Sequence, residues 1–543
     1  MRRPAGNQAA GIIEPVEVKP ALQPSQGRFY LYFTVFVSGM TSLAVEFLAS
    51  RLLGDVFGSS NLVWACIIGL ILIYLTLGYF LGGRWADRSP TLRTFYGILA
   101  WGALSIGLVP VVAHPILRLS ANAFDQLQMG ILFGSFAAVL ILFIIPVTLL
   151  GTASPFAIRL AIGNPEEAGR VSGRIYAIST LGSFLGTFLP VLLFIPLIGT
   201  YRSFILFSAA QMAVALAGLW AARGWQEVRW YLWMPLALAL FAWVGTAGPL
   251  KASTGQVYET ESAYNYIQVI QQKGYTYLRL NDGQGIHSVY NPKVLNYNGP
   301  WEQVLVAPFF NPAPFDLKNV QRMAILGLAA GTTARQATAV YGPIPIDGFE
   351  IDPKIVDVGR KYFDMNEPNL NVIVQDGRWG LDHSPYRYQV ISVDAYRPPY
   401  IPWQMTTREF FQLVYQHLTD DGAMAINVGR APGDRQLLDS LASTIHSVFP
   451  SVYIIDLPNT FNSIIFATRT PTVQENLLYN LRDLIQSKSA PPLLVQAMEV
   501  AATNLKPVPA GGVVFTDDLA PVEWITNRMM VQFVLSGGVE ELQ

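Results

Sequence analysis

The sequence predicts a multi-pass α-helical membrane bundle followed by an α/β Rossmann-like domain, with a small antiparallel β-subdomain at the entrance to the second half. Three observations carry this. The chain is 52% hydrophobic and only 13% charged, against about a quarter charged in soluble domains, and the deficit falls before Pro249. Apolar stretches of the length that crosses a bilayer, roughly 20 residues for about 30 Å of hydrocarbon, fill that first half. In the second half short apolar strands alternate with helical patterns, the signature of a mostly parallel sheet covered on both faces.

Residues 1–28 form a polar arm containing Arg2, Arg3, Lys19 and Arg28, with no small-residue cleavage site soon after it, so the first apolar stretch reads as an uncleaved anchor. Residues 29–249 hold about seven spans: Phe29 to Ala49, Leu62 to Leu81, Phe95 to Ala113, Ile131 to Leu150, Ile178 to Ile198, Phe204 to Ala221 and Trp230 to Gly248. Basic residues alternate between connections. Arg84, Arg88 and Arg93 follow span two, Arg159, Arg170 and Arg174 follow span four, and Arg223 and Arg229 follow span six, whereas Arg51, Arg118 and Arg202 stand singly in the others. Basic loops stay on the cytoplasmic side, which places the N-terminus inside and, after seven spans, the C-terminal half outside. One span fewer would reverse that, and Ile131 to Leu160, interrupted by Pro146 and Pro155, is where a span plus a re-entrant piece would alter the count. Gly182 and Gly186 make a GxxxG spacing that lets two helices pack closely.

Residues 250–322 form the β-subdomain and a connector: "VYETESAYNYIQVI", a turn at "QQKG", then "YTYLRLND" and "GIHSVY" alternate with period two. Residues 323–543 form the nucleotide-binding α/β domain, with strands at "MAILGL", "IPIDGFE", "NVIVQ", "YQVISVD", "AMAINV", "SVYIID" and "SIIFAT". Ligands of such sheets sit beyond the C-terminal strand ends. There the sequence places Gly327 and Gly331 in a turn before a helix, Glu350 closing the next strand 23 residues after Gly327, Asp376-Gly377 after the third and Asp394 after the fourth. A glycine turn admits a ligand to the backbone, and an acid at that spacing reaches ribose hydroxyls. Each acid alone could be a helix cap. Three at successive strand ends are better explained by an adenosine between them.

Other chemistries find little support. The net charge is −1, from 36 basic and 37 acidic residues, so nothing steers the chain toward nucleic acid. One cysteine, Cys66, excludes an internal disulfide framework, and the five histidines have no metal-ligand spacing.

These residues resemble the spermidine synthase (polyamine aminopropyltransferase) family in its membrane-fused form. "AILGLAAGTT" sits where the family has its glycine-rich loop, "FEIDPKIVDVGRKYF" is similar to its ribose-binding strand and helix, and "VIVQDGRWGL" to its adenine-side segment. "YQVISVDAYRPPYIPWQMTTREFF" is similar to its catalytic strand and loop, and "TDDLAPVEW" to its closing segment. "SGMTSLAVEFLASRLLGDVFGSS" and "LGGRWADRSP" look like the membrane part of fused members. The resemblance implies the class I methyltransferase-type version of the fold, with Asp394 catalytic. It implies Gly327, Gly331, Glu350, Asp352, Asp376 and Gly377 around the nucleotide; Asp282, His287, Trp301, Glu302 and Tyr396 are the candidates for the acceptor side, with aromatic core packing the alternative role of Trp301 and Tyr396. It implies decarboxylated S-adenosylmethionine as co-substrate and no metal. The expected partners are a small-molecule amine and the lipid bilayer, with a homo-oligomer left open and no nucleic acid.

Two positions depart from the family pattern. Ala330 stands where an Asp usually pairs with the donor's aminopropyl ammonium, and Arg397 where a second Asp binds the polyamine. His287 is the nearest counterpart of the family's gate glutamine. Two alternatives therefore stand beside aminopropyl transfer: an S-adenosylmethionine-dependent, methyltransferase-like enzyme, and a non-catalytic membrane protein that binds a nucleotide or polyamine.

Overall fold

The computed structural model describes residues 26–535, apart from 58–60, 128–130, 246–252, 282–284, 397–399, 432, 488–489 and 510. Helices α1 (Gln26–Phe57), α2 (Asn61–Arg88), α3 (Leu92–Leu127), α4 (Ile131–Gly151) and α5 (Ala153–Ala161) open the bundle. They are followed by α6 (Ala168–Leu189), which runs through a π-helical turn at Pro190–Phe194 into α7 (Ile195–Ile198). Then come α8 (Thr200–Arg223), the short α9 (Trp225–Val228) and α10 (Trp233–Gly245). Among the described residues six helical segments are long and apolar enough to cross a membrane, and a shorter apolar helix, Trp233–Trp243, falls within the seventh expected stretch. The last expected stretch is broken by turns at 229–232, leaving the 13 residues of α10.

The stretch around Pro146 and Pro155 forms a single candidate span, Ala137–Ala161. Helix α5 continues α4 along α2: Gly78 packs on the backbone of Thr148 and Gly151, Gly82 on Thr152, and Arg159 pairs with Asp87 at 3.2 Å. Gly182 and Gly186 lie directly on α1, where a Cβ would collide with the carbonyl oxygens of Phe36 and Met40. Small residues are what allow the two backbones that close an approach. Gly186→Leu is expected to destabilise the bundle by about 1–3 kcal/mol, the usual cost of overpacking. It should read out as a lower unfolding temperature of the detergent-solubilised chain, and an unchanged transition would contradict the close contact.

The β-subdomain is an antiparallel sheet in sequence order: β1 (Gln256–Glu261), β2 (Tyr266–Gln272), β3 (Tyr275–Leu280) and β4 (Ile286–Tyr290). Helix α11 (Pro300–Gln303) and 3-10 turns connect it to the large sheet. The strands there are β5 (Met323–Leu326), β6 (Ile346–Phe349), β7 (Leu370–Ile373), β8 (Tyr388–Val393), β9 (Leu418–Gly429), β10 (Ser451–Asp456), β11 (Asn462–Thr468) and β12 (Leu505–Lys506). Their order is β12-β10-β11-β9-β8-β5-β6-β7. Strands β5 to β9 pair in parallel, and β10 to β12 add antiparallel edges.

Both faces of this sheet are buried. Met323 and Ile325 join one apolar cluster while Ala324 and Leu326 join the other, as period-two alternation in a doubly covered strand requires. Helices α12 (Thr332–Tyr341), α13 (Pro353–Tyr362), α14 (Gly377–Asp382), α15 (Arg408–His417) and α16 (Gln436–His446) follow successive strands. Helices α17 (Glu475–Gln486), α18 (Pro492–Thr503) and α19 (Val522–Leu535) end the chain. The strand order reverses between β5 and β8, and crevices for ligands form at such switch points.

Candidate active site

At that reversal a cavity of about 430 Å³ is lined by Gly327, Glu350, Asp376, Gly377 and Asp394, together with His287 and Tyr396. Its size lies within the usual range for small-ligand sites, about 300–1,000 Å³. Strand pairing sets the positions. Gly327 N donates to Phe349 O (3.0 Å), Asp394 N to Leu326 O (2.9 Å), and Glu350 N to Ile373 O (3.1 Å), so neighbouring strand ends are level. Gly327 has φ +91°, and a Cβ there would lie 2.5 Å from Asp394 O. Only glycine holds that turn without strain.

Glu350 is 7% exposed, and its two oxygens accept backbone N–H groups from Ala329 (2.9 Å) and Asp352 (3.1 Å). Burial pushes its pKa up to about 7, with those two hydrogen bonds opposing. Each oxygen keeps acceptor capacity, so the carboxylate can take two neighbouring hydroxyls. Asp376 caps α14: its Oδ1 accepts from Arg378 N (2.9 Å) and Trp379 N (3.0 Å). Its capping and lining roles coexist, because both bonds use one oxygen.

Asp394 is also pushed up to about 7 by burial, with the Asn427 amide donating to Oδ1 at 3.0 Å and opposing the shift. Beside it the Tyr396 hydroxyl donates to Asn427 O (3.1 Å) and accepts from Gly429 N (2.7 Å). Tyr396 is therefore fixed rather than free to move a proton. Burial lowers the His287 pKa to about 4, and its Nε2 is out of solvent with no hydrogen-bond partner among the described residues. The ring is neutral at physiological pH, which removes a positive charge from a cavity whose other ionisable groups, among the described residues, are acids.

Other expected site residues lie elsewhere. Asp352 is fully buried as the N-cap of α13, accepting from Lys354 N (3.0 Å), Ser262 Oγ (2.5 Å) and Asn265 Nδ2 (2.9 Å). It ties the β-subdomain to α13 and has no place in the cavity. Gly331, φ +83°, packs on Met365 instead of lining the space. Trp301, 8% exposed, lies edge-on to Tyr297 in the core. Glu302, 1% exposed, accepts from Gly299 N (2.7 Å) and Gln336 Nε2 (3.0 Å) in the connector. Glu302, a candidate for the acceptor side, is committed to the connector, and Trp301 takes the aromatic core packing that its residue type also suggested. Ala330 is fully buried in the cluster joining the two sheets, its N–H donating to Ser288 Oγ at 2.9 Å. Asp282 and Arg397 fall outside the described residues.

The cavity also holds groups that sequence reasoning passed over: Trp64 of α2, Tyr264, Tyr400, Trp403 and Glu523. Glu523 begins α19. The segment before that helix is fixed by a two-point ion pair, Arg378 Nη1 and Nη2 to Asp517 Oδ1 and Oδ2 at 2.8 and 2.7 Å, and by Thr407 Oγ1 donating to Asp517 (2.6 Å). "TDDLAPVEW" signalled this segment, but not which of its acids faces inward. Trp64 gives no signal within its apolar run.

Residues 312–477 match the family model of the spermine/spermidine synthase domain. The chain is 36% identical over 295 residues to a probable polyamine aminopropyl transferase of Bifidobacterium longum, a match that covers 52% of this chain and 64% of that relative. It is 25% identical over 252 residues to a polyamine aminopropyltransferase of Vibrio vulnificus, covering 43% of this chain and 79% of the relative. Among solved structures, a probable spermidine synthase from Corynebacterium glutamicum superposes with a TM-score of 0.39 at 20% identity, covering 50% of this chain and 99% of that one.

Proposed function

We propose that the chain, whose residues 312–477 match the spermine/spermidine synthase domain, moves an aminopropyl group from decarboxylated S-adenosylmethionine to a small amine at a membrane. The observation that carries this reading is the convergence of Glu350, Asp376 and Asp394 on one cavity at the sheet's reversal. In it Glu350 takes the ribose hydroxyls, and the free Oδ2 of Asp376 accepts from the adenine amino group. Asp394 holds the acceptor nitrogen and receives its proton. The nitrogen lone pair attacks the carbon beside the sulfonium. The C–N bond forms as the C–S bond breaks, its electron pair stays on sulfur, and Asp394 takes the proton released from nitrogen. A positioned carboxylate supplies proximity and general-base help together, and the donor brings its own leaving group.

A second reading, in which intact S-adenosylmethionine binds, rests on the residue type at position 330, where alanine supplies no carboxylate to select the decarboxylated arm. Titration calorimetry of the solubilised chain with each donor, followed by mass analysis of products formed with a diamine, separates the two. Tight binding of the decarboxylated donor and an acceptor heavier by one aminopropyl group supports transfer of that group. Binding of the intact donor alone, with methylated product, supports the second reading.

His287 gives a further prediction. His287→Gln is expected to keep most of the activity, because a neutral hydrogen-bonding side chain remains. His287→Lys should reduce kcat/KM at least tenfold, because a fixed cation repels a cationic donor and amine. Steady-state kinetics of both variants tests it, and equal loss in the two would remove charge as the reason.

A further inference from the structure

Two sets of contacts mark opposite ends of the bundle. At one end Arg159 pairs with Asp87 (3.2 Å), closing α5 on α2, and Arg93 at the start of α3 pairs with Glu227 after α8 (3.1 Å). The start of α1 is there too, since Arg28 lies beside Gly163. This is the end that carries the arginine-rich turns after spans two, four and six. At the other end α1 finishes, α2 begins and α7 hands over to α8.

The β-subdomain docks on that second end. Arg51 of α1 donates to Ser262 O (2.7 Å), and Thr200 N and Oγ1, opening α8, both donate to Glu261 at 2.9 Å. Trp64, near the start of α2, reaches into the cavity itself. The bundle end opposite the arginine-rich turns is thus the floor of the α/β domain and part of its site.

Six crossings alone would return the chain to the arginine-rich end, where α8 finishes at Arg223. Yet Gln256 begins β1 at the other end. Helix α10 makes the ascent. It runs alongside α3 in the same direction, with Trp233 edge-on to Trp101 (5.8 Å between centroids) and Leu238 one turn further along, against Gly107. At 1.5 Å per residue its 13 residues rise about 20 Å, most of the hydrocarbon thickness.

Basic connections remain cytoplasmic. We propose that the chain crosses the membrane seven times, so that the α/β domain and its cavity stand on the extracytoplasmic face, seated on the bundle through Arg51, Thr200 and Trp64. The placement is independent of which reaction the cavity performs. It does set a condition on any cationic nucleotide donor: a fixed charge does not pass hydrocarbon unaided, so such a donor must be delivered to that face.

Single-cysteine labelling of the full chain tests this. In a Cys66→Ala background, Lys318→Cys and Arg170→Cys place thiols at exposed positions on the α/β domain and on an arginine-rich turn. Spheroplasts of a bacterial host are treated with a membrane-impermeant maleimide before and after lysis. The expected result is labelling of the Lys318→Cys variant in intact spheroplasts and of the Arg170→Cys variant only after lysis. The reverse pattern, or the same response at both positions, overturns the placement. Asp483→Cys and Gly169→Cys, also exposed, form a second pair that gives the same reading should a substitution in the first block folding.

Discussion

Asp394→Asn is expected to lower kcat by roughly 10²- to 10⁴-fold, the range that a positioned general base contributes, while donor affinity stays within about threefold. The amide keeps the shape and still meets Asn427, whose own amide can turn to present its oxygen, but it cannot receive the proton that must leave nitrogen. Wild-type turnover should rise as pH increases through about 7, where burial has placed this acid, because only the carboxylate acts as base. The asparagine variant should show no such rise.

A stability measurement separates this role from simple damage. An acid whose pKa is raised from 3.8 to about 7 on folding makes the folded state bind more protons between those values, so stability falls as pH rises across that window and stays lower above it. Asparagine has no charge to bury. The variant should therefore gain unfolding temperature relative to wild type on going from pH 5 to pH 8, while remaining inactive. Full turnover in the variant, or a loss of stability that grows with pH, would remove Asp394 from the chemistry.

Much of this site was readable because parallel sheets obey a strict rule: strand ends on one side face one crevice, and four of the seven expected strands carry their glycine or acid there. The residues misplaced from sequence share a different cause. Asp352 and Glu302 are each drawn into bonds of their own, the first by helix capping and the second by a connector hydrogen bond. A one-dimensional pattern does not show which of two acids two residues apart, Glu350 or Asp352, turns inward. The bundle shows the opposite difficulty. Its spans follow from hydropathy, yet α10 is shorter than composition suggests because turns at 229–232 interrupt it. Trp64 enters the cavity only through tertiary docking, which leaves no periodic trace.

Glu350→Gln should weaken donor binding by about 10- to 100-fold, equivalent to losing a hydrogen bond to a charged group at about 1.5–3 kcal/mol. The geometry makes the loss specific. Both oxygens of Glu350 face backbone N–H donors, from Ala329 and from Asp352. Glutamine must turn an amino group toward one of them, setting donor against donor and leaving only one oxygen for the ribose. Because burial holds Glu350 up to about 7, and hydroxyls donate to the ionised form, wild-type affinity should fall as pH drops below 7 and level off above it. The glutamine variant should bind weakly and without that slope. Calorimetric titration of donor into both proteins between pH 6 and 8 measures this, with Trp301→Phe as a core control that leaves affinity unchanged. Equal affinities, or a slope that survives the substitution, would mean that the nucleotide is held elsewhere. Asp394 would then face a cavity with no adenosine in it, and the transfer chemistry proposed for the chain would lose its donor.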